Sequence, residues 1–164
     1  KHTTMSVEVI QGDTKPLPNR IYLIPSGSNI TIKNGIIRMV DRVPTGVVNL
    51  PIDVFFHALG NDQKEKAVGI ILSGSGTDGS RGIQTIKEMG GLVFVQDPAT
   101  AQFDGMPMAA NATGLADSVL PPFSMARELV RITNSARKGT SPVIDPKNTH
   151  NEQLLNQILN LSHF

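Results

Sequence analysis

Alternating apolar and polar side chains near the start of the chain predict short strands. From Met5 to Ile10 the apolar residues Val7 and Val9 alternate with polar neighbours, so we expect a strand whose one face is buried. A second strand is expected from Arg20 to Ile24, where an apolar run ends at a proline. The chain therefore begins with β-structure.

A β-hairpin is predicted next. Two apolar runs, Ile30 to Ile32 and Ile36 to Val40, flank Lys33-Asn34-Gly35. Asn-Gly between such runs is the strongest local hairpin signal, because both residues tolerate positive φ.

Pro51 marks the start of a predicted helix, since its fixed φ suits the first helical turn. Gly60 is expected to end this helix. The predicted apolar face comprises Val54, Phe55, Ala58 and Leu59. His57 lies between them, and we interpret it as a partly buried structural histidine.

The second half of the domain alternates buried strands with helices. Continuous apolar runs from Ala67 to Leu72 and from Leu92 to Val95 are typical of parallel strands covered on both faces. The other predicted elements are a helix with Ile83, Ile86 and Met89 on its apolar face, a strand from Asp117 to Leu120 and a helix from Met125 to Ile132. This order predicts an α/β fold: a doubly wound, three-layer αβα arrangement with a mostly parallel sheet and an added β-hairpin.

Composition divides the chain into three parts. We expect a globular domain over residues 1–133 and a polar linker over 134–150, where Ser, Lys, Gly, Thr, Pro and Asn predominate. Residues 151–164 carry an isolated apolar helical stripe, which predicts the start of a following helical segment. The stripe consists of Leu154, Leu155, Ile158, Leu159 and Leu161.

Charge and cysteine content exclude several function classes. The net charge is +1, with 15 basic and 14 acidic residues spread along the chain. This balance argues against binding to nucleic acid or to a membrane surface. The longest apolar stretch, around Ala67 to Leu72, is too short to span a bilayer, so we expect no membrane insertion. The absence of cysteine excludes disulfides and thiolate sites and fits a cytoplasmic location.

The most informative segment is a glycine-rich loop between a buried strand and a helix. It contains Gly74, Ser75, Gly76, Thr77, Asp78 and Gly79. Ligands bind at the carboxyl ends of strands in open α/β sheets, so this loop occupies a favoured position. Asp78, just before a helix, would lie near unpaired amide donors. An equally economical interpretation is that Asp78 only caps the helix that follows it.

Other chemistries fit the residues less well. A phosphate-binding loop is a second alternative, although the lysine of the nucleotide P-loop is absent. A self-contained serine hydrolase would need Gly-x-Ser-x-Gly, which the chain lacks. No His-x-x-x-His or carboxylate cluster has the spacing of metal ligands, so we expect neither a metal nor a cofactor.

A second loop, from Ala99 to Pro107, is long for a strand-to-helix connection. Loops that carry exposed apolar residues often contact a partner or substrate. The residues proposed for such contact are Phe103, Asp104, Gly105, Met106 and Pro107. The alternative is that Phe103 and Met106 pack down onto the sheet.

Four segments of the chain are informative when taken together. They are Ile21-Tyr22-Leu23-Ile24-Pro25-Ser26-Gly27, Leu50-Pro51-Ile52-Asp53-Val54-Phe55-Phe56, Ala67 to Gly74 with Gly76-Thr77-Asp78-Gly79, and Phe103-Asp104-Gly105-Met106-Pro107. Their order and spacing resemble those of a known family, the CheB-type chemotaxis protein-glutamate methylesterases, and the resemblance extends roughly from Lys1 to Val130.

The resemblance implies a Ser-His-Asp hydrolase. Such enzymes remove methyl esters from glutamates on the cytoplasmic helices of chemoreceptors, and often deamidate receptor glutamines. By the family's motif, Asp78 would orient the histidine and the backbone N–H of Ser75 would belong to the oxyanion hole. Family members often have methionine at the position of Ser75, a departure of small consequence because the backbone donates.

The family's serine and histidine precede the segment that matches this chain. We therefore expect Lys1 to Val130 to form the carboxyl-terminal part of the domain, inactive by itself. The stripe after the linker resembles the opening helix of a CheR-type methyltransferase, as in CheB–CheR fusion proteins with sensory segments. Two alternatives to the esterase stay open, namely a catalytically incomplete receptor-docking module and an anion- or nucleotide-binding domain.

Overall fold

The computed structural model describes residues 3–42 and 48–137. The three histidines other than His57, most of the predicted linker and the whole of segment 151–164 lie outside these residues, and the domain division stays a prediction.

The amino-terminal half forms two small sheets and a helix. Strands β1 (Ser6–Val9) and β2 (Arg20–Leu23) pair in parallel, and β3 (Asn29–Lys33) pairs antiparallel with β4 (Ile36–Val40). Asn34 and Gly35 have φ values of 53° and 71°, so the predicted Asn-Gly turn is confirmed. Helix α1 (Pro51–Gln63) follows.

The carboxyl-terminal half is a parallel sheet with helices between the strands. Its strands are β5 (Val68–Ile71), β6 (Leu92–Gln96) and β7 (Ser118–Leu120), in that spatial order. Its helices are α2 (Gly82–Glu88), α3 (Gly105–Ala112) and α4 (Pro122–Arg137). Helix α4 continues into the first four residues of the predicted linker.

Successive side chains of β6 enter cores on opposite faces of the sheet. Val93 and Val95 join a cluster with residues of α1, α2 and α3, whereas Phe94 packs with Met125 and Ile132 of α4. The period of two in a strand produces this division. The predicted three-layer αβα fold with a mostly parallel sheet and an added hairpin is thus confirmed.

Helix α1 joins the hairpin to the parallel sheet. Its Phe56 belongs to the core on the α1, α2 and α3 side, while Phe55 and Leu59 also pack against a cluster formed by Ile10, Ile30, Ile32 and Ile37. A Cβ at Gly60 would lie 3.0 Å from the backbone of Thr85 in α2. The expectation that Gly60 ends α1 was therefore wrong, because this glycine lies inside the helix and permits close contact with α2.

Two expectations about buried apolar residues were also wrong. Val7 and Val9 are 51% and 53% exposed, and Leu23, the strand partner of Val9, is 47% exposed. Met89 is the C-cap residue that follows α2, and 38% of it is exposed. The pair β1 and β2 therefore presents apolar side chains to solvent, although parallel sheets are generally covered on both faces.

Candidate active site

Asp78 lies in the loop between β5 and α2, at the carboxyl edge of the parallel sheet, and is half-buried. Its Oδ2 accepts the backbone N–H of Ile52 at 3.1 Å, and its Oδ1 accepts that of Asp53 at 2.9 Å. Both donors belong to the first turn of α1, whose own N-cap residue, Leu50, offers no capping side chain. Asp78 therefore caps α1, and not the helix that follows it.

This contact fixes the Asp78 carboxylate at the positive end of a helix. The N-terminal amides of a helix lack partners within it and attract negative charge. Each oxygen of Asp78 accepts one amide N–H, whereas a carboxylate offers about four lone-pair positions. The group can therefore accept another donor, such as an imidazole N–H.

Glycine at position 79 lets the chain turn directly after Asp78. Gly79 has a φ of +91°, and a Cβ there would lie 2.5 Å from Cδ1 of Ile71 and 2.8 Å from Cγ2 of Ile52. A larger residue would be strained in its backbone and would collide with the core. Glycine at position 79 thus allows the chain to place Asp78 against the start of α1.

The two loops singled out from the sequence are bound to each other. Gly74 N–H donates to Phe103 O at 2.9 Å, and Met106 N–H donates to Gly74 O at 2.8 Å. Phe103 N–H donates to the hydroxyl of Ser73 at 2.9 Å, and Gly105 packs against the backbone of Gly76. The structure therefore brings together the glycine-rich loop and the Phe103–Pro107 segment.

Phe103 and Met106 behave differently. Phe103 is 58% exposed, so it does not cover the core. Met106 packs against the core on the α1, α2 and α3 side, and its Sδ lies 2.5 Å from where a Cβ of Gly74 would be. Pro107 is fully buried and Asp104 is exposed. Only Phe103 and Asp104 of this segment are thus presented openly to a partner.

The backbone N–H of Ser75 is available to a ligand. The preceding amides are occupied, since Ser73 N–H donates to Gln96 and Gly74 N–H donates to Phe103. Ser75 is exposed, and its N–H donates to nothing within residues 3–42 and 48–137. An amide without an acceptor, in an exposed residue next to two fixed amides, can donate to an oxygen outside the loop. Thr77 O accepts from Ser80, which closes the turn before α2.

Two residues that sequence reasoning missed brace these loops. Gln96, at the end of β6 and 5% exposed, accepts Ser73 N–H at 2.8 Å and donates to Thr100 O at 3.1 Å. A buried amide that ends a parallel strand is a signal that could have been recognised. Asp53 accepts backbone N–H groups from Arg81 and Gly82. In the sequence it looks like any acidic residue in a first helical turn.

His57 stands apart from the candidate site. Its Nδ1 lies 2.9 Å from Thr85 Oγ1, and the residue is exposed rather than partly buried as expected. Across the described ranges no group of three or more His, Asp or Glu side chains is arranged to hold a metal ion. No helix in the part of the chain that the structure describes is long and apolar enough to span a bilayer.

Comparisons with known proteins point to one family. The family described as CheB methylesterase matches residues 1–129. The crystal structure of the Thermotoga maritima CheB methylesterase catalytic domain superimposes with a TM-score of 0.66 and 26% identity, over 74% of this chain and 67% of that one.

Curated relatives are similar over most of this chain. A protein-glutamate methylesterase/protein-glutamine glutaminase of Xanthomonas campestris is 33% identical over 84% of the chain, and one of Moorella thermoacetica is 34% identical over 73%. An uncharacterized 104.1 kDa protein of Rhodobacter capsulatus is 37% identical over 73% of the chain. The aligned part covers 39%, 29% and 12% of these relatives' own lengths.

Proposed function

The chain belongs to the CheB methylesterase family, and on this premise we propose that it contributes the aspartate and an oxyanion donor to a protein-glutamate methylesterase. The substrates would be glutamate methyl esters, with glutamine amides as further substrates, on the cytoplasmic helices of chemoreceptors. The nucleophilic serine and the histidine would come from family residues outside this chain. A cytoplasmic location is part of the proposal.

The fixed carboxylate of Asp78 carries the proposal. In a Ser-His-Asp hydrolase the aspartate accepts the N–H of the histidine, holds the useful tautomer and stabilises the imidazolium that forms. Asp78 is anchored through two backbone amides and retains lone pairs for such a donor. Ser75 is exposed, its N–H has no acceptor among the described residues, and it lies three positions before Asp78, where the family's motif calls for an oxyanion donor.

The proposed reaction follows from these roles. The serine hydroxyl would attack the ester carbonyl while the histidine takes its proton, and the Ser75 N–H would stabilise the negative oxygen of the tetrahedral intermediate. Methanol would leave with the proton from the histidine. Water would then attack the glutamyl ester of the serine, with the histidine again taking the proton, and release the glutamate carboxylate and the free serine. No step needs a metal or a cofactor.

The exposed apolar face of β1 and β2 supports completion of the domain by another segment. Val7, Val9 and Leu23 lie open to solvent in a parallel pair. The aligned part accounts for 67% of the Thermotoga domain, so a third of that domain has no counterpart in the match. We propose that this third covers the face and brings the serine and histidine to Asp78.

A receptor-docking module without chemistry is the second candidate, because Phe103 is exposed beside the glycine-rich loop. Methanol release from a methylated chemoreceptor separates the two. The 164-residue chain should release none, and a longer protein that carries the complete family domain should be active. If the longer protein binds the receptor but releases no methanol, the docking module is favoured. Binding of inorganic phosphate by the 164-residue chain would instead favour an anion-binding domain.

A further inference from the structure

Asp53 contacts both sides of the loop that carries Asp78. Its N–H donates to Asp78 Oδ1 at 2.9 Å. Its own Oδ1 accepts the N–H of Arg81 at 3.0 Å and that of Gly82 at 2.7 Å. One residue of α1 therefore holds the loop at Asp78 and again three residues later, where α2 begins.

Helix α2 depends on Asp53 for its cap. The residue before α2 is Arg81, which has a helical backbone and no capping side chain. A Cβ at Gly82 would lie 2.6 Å from Phe56 Cβ and 3.0 Å from Asp53 Cα. The starts of α1 and α2 thus touch directly, and the Asp53 carboxylate satisfies two amides that would otherwise lack acceptors.

We propose that Asp53 is a positioning residue for Asp78, an inference that rests on the proposed function. The loop before α2 contains glycines at 76 and 79 with φ of +85° and +91°, so its sequence does not restrict it strongly. The end of this loop at Arg81 and Gly82 is held by Asp53. Release of Arg81 and Gly82 would let the Asp78 carboxylate shift relative to the histidine, and a displacement of about 1 Å can lower a rate by about 100-fold.

The effect depends on one oxygen of Asp53. Oδ1 accepts both amides, whereas Oδ2 is buried and has no hydrogen-bond partner among the residues described. Asparagine can keep the Oδ1 acceptor. Replacement of Oδ2 by the amide nitrogen removes no hydrogen bond among the residues described. Asp53→Asn is therefore the conservative variant, and Asp53→Ala removes the acceptor.

Asp62 provides a matched control on the same helix. Its carboxylate also accepts two consecutive backbone N–H groups, from Asn34 and Gly35 of the hairpin turn. The chemistry resembles that of Asp53, but the segment held is the hairpin and not the candidate site. Asp62→Ala should cost similar stability without moving Asp78.

The decisive experiment measures kcat and KM for methanol release from a methylated chemoreceptor by the longer protein with the complete domain. Asp53→Ala should lower kcat by roughly 10- to 100-fold with little change in KM. Asp53→Asn should recover most of the lost kcat. The kcat of Asp62→Ala should stay within about twofold of wild type, although its Tm should fall about as much as that of Asp53→Ala. An Asp53→Ala variant with wild-type kcat would overturn the inference.

If the wild-type longer protein releases no methanol, the proposed function is wrong, but hydrogen exchange can still test the positioning role of Asp53. In the 164-residue chain, Asp53→Ala should speed exchange of the Ile52 amide, which donates to Asp78, and Asp62→Ala should not. Equal exchange in the two variants would overturn the positioning role. If Asp53→Ala does not fold, Asp53→Ser is tested by the same criteria.

Discussion

The N–H of Asp53 donates to the carboxylate of Asp78, and each of these two aspartates caps the helix associated with the other. Asp78 precedes α2 but caps α1, whereas Asp53 belongs to α1 and caps α2. Both helices therefore begin at the same point, at the carboxyl edge of the parallel sheet. In the proposed enzyme, the packing of α1 against α2 therefore fixes the position of the catalytic carboxylate.

Gln96 links the two loops, and its loss should weaken both. Gln96→Leu removes the acceptor of Ser73 N–H and the donor to Thr100 O, so we expect the free energy of unfolding to fall by about 1–3 kcal/mol. Urea unfolding of the 164-residue chain measures this change. Gln84→Leu, at an exposed position of α2, should stay within about 0.5 kcal/mol of wild type. Equal effects of the two substitutions would contradict the bracing role.

Asp62 should make the hairpin sensitive to acid. A hydrogen bond from the Gln63 side chain, followed by the Gly35 and Asn34 amides, lowers the pKa of Asp62 below its ordinary value of 3.8 despite the opposing effect of burial. Because the folded pKa is the lower one, the stabilisation is complete above pH 3.8 and is lost as the pH falls through the folded pKa.

The measurement is Tm against pH for wild type and Asp62→Asn. At pH 6 the variant should melt a few degrees lower, on the order expected for the loss of one charge-assisted contact. The gap should narrow as the pH falls below that ordinary pKa and should vanish below the folded pKa. A gap that does not change with pH would show that the charge of Asp62 contributes nothing.

Phe103 should matter for receptor recognition more than for stability or chemistry. Because its side chain is 58% exposed, Phe103→Ala should change Tm little. In the longer protein we expect about a tenfold loss of kcat/KM on a methylated receptor, as for the loss of an apolar anchor, and no loss on a small methyl ester. Phe123→Ala, at an exposed position on α4, is the control. Equal losses on both substrates would assign Phe103 a catalytic or structural effect.

Local patterns predicted most of the fold. The Asn34-Gly35 turn, the buried runs that became β5 and β6 and the alternation of strand and helix all depend on neighbouring residues, so the sequence contains their signals. Gly60 was misjudged because its role depends on the approach of α2, which no local pattern records. Val7 and Val9 alternate as in a buried strand, but burial needs a covering layer that the pattern cannot supply.

The candidate site was predicted in its parts but not in its connections. The motif singled out Asp78 and the Phe103 segment, and the carboxyl-edge rule implied that they lie at one side of the sheet. The capping of α1 by Asp78 joins residues 25 and 26 positions apart. Such a pairing depends on the tertiary arrangement of both helices, so the sequence favoured the nearer helix, α2. The roles of Ser75 and Asp78 in catalysis stay proposals.

The most direct test of the central claim is the turnover of Asp78→Asn in the longer protein with the complete domain, measured as methanol release from a methylated chemoreceptor. Asp97→Asn is the matched control, since Asp97 follows the neighbouring strand β6 and accepts the N–H of Ala99. We predict a fall in kcat of about 10³- to 10⁴-fold for Asp78→Asn, as for the loss of a triad aspartate, and little change for Asp97→Asn. Turnover of Asp78→Asn within a few-fold of wild type would contradict the claim and leave Asp78 as the cap of α1 alone.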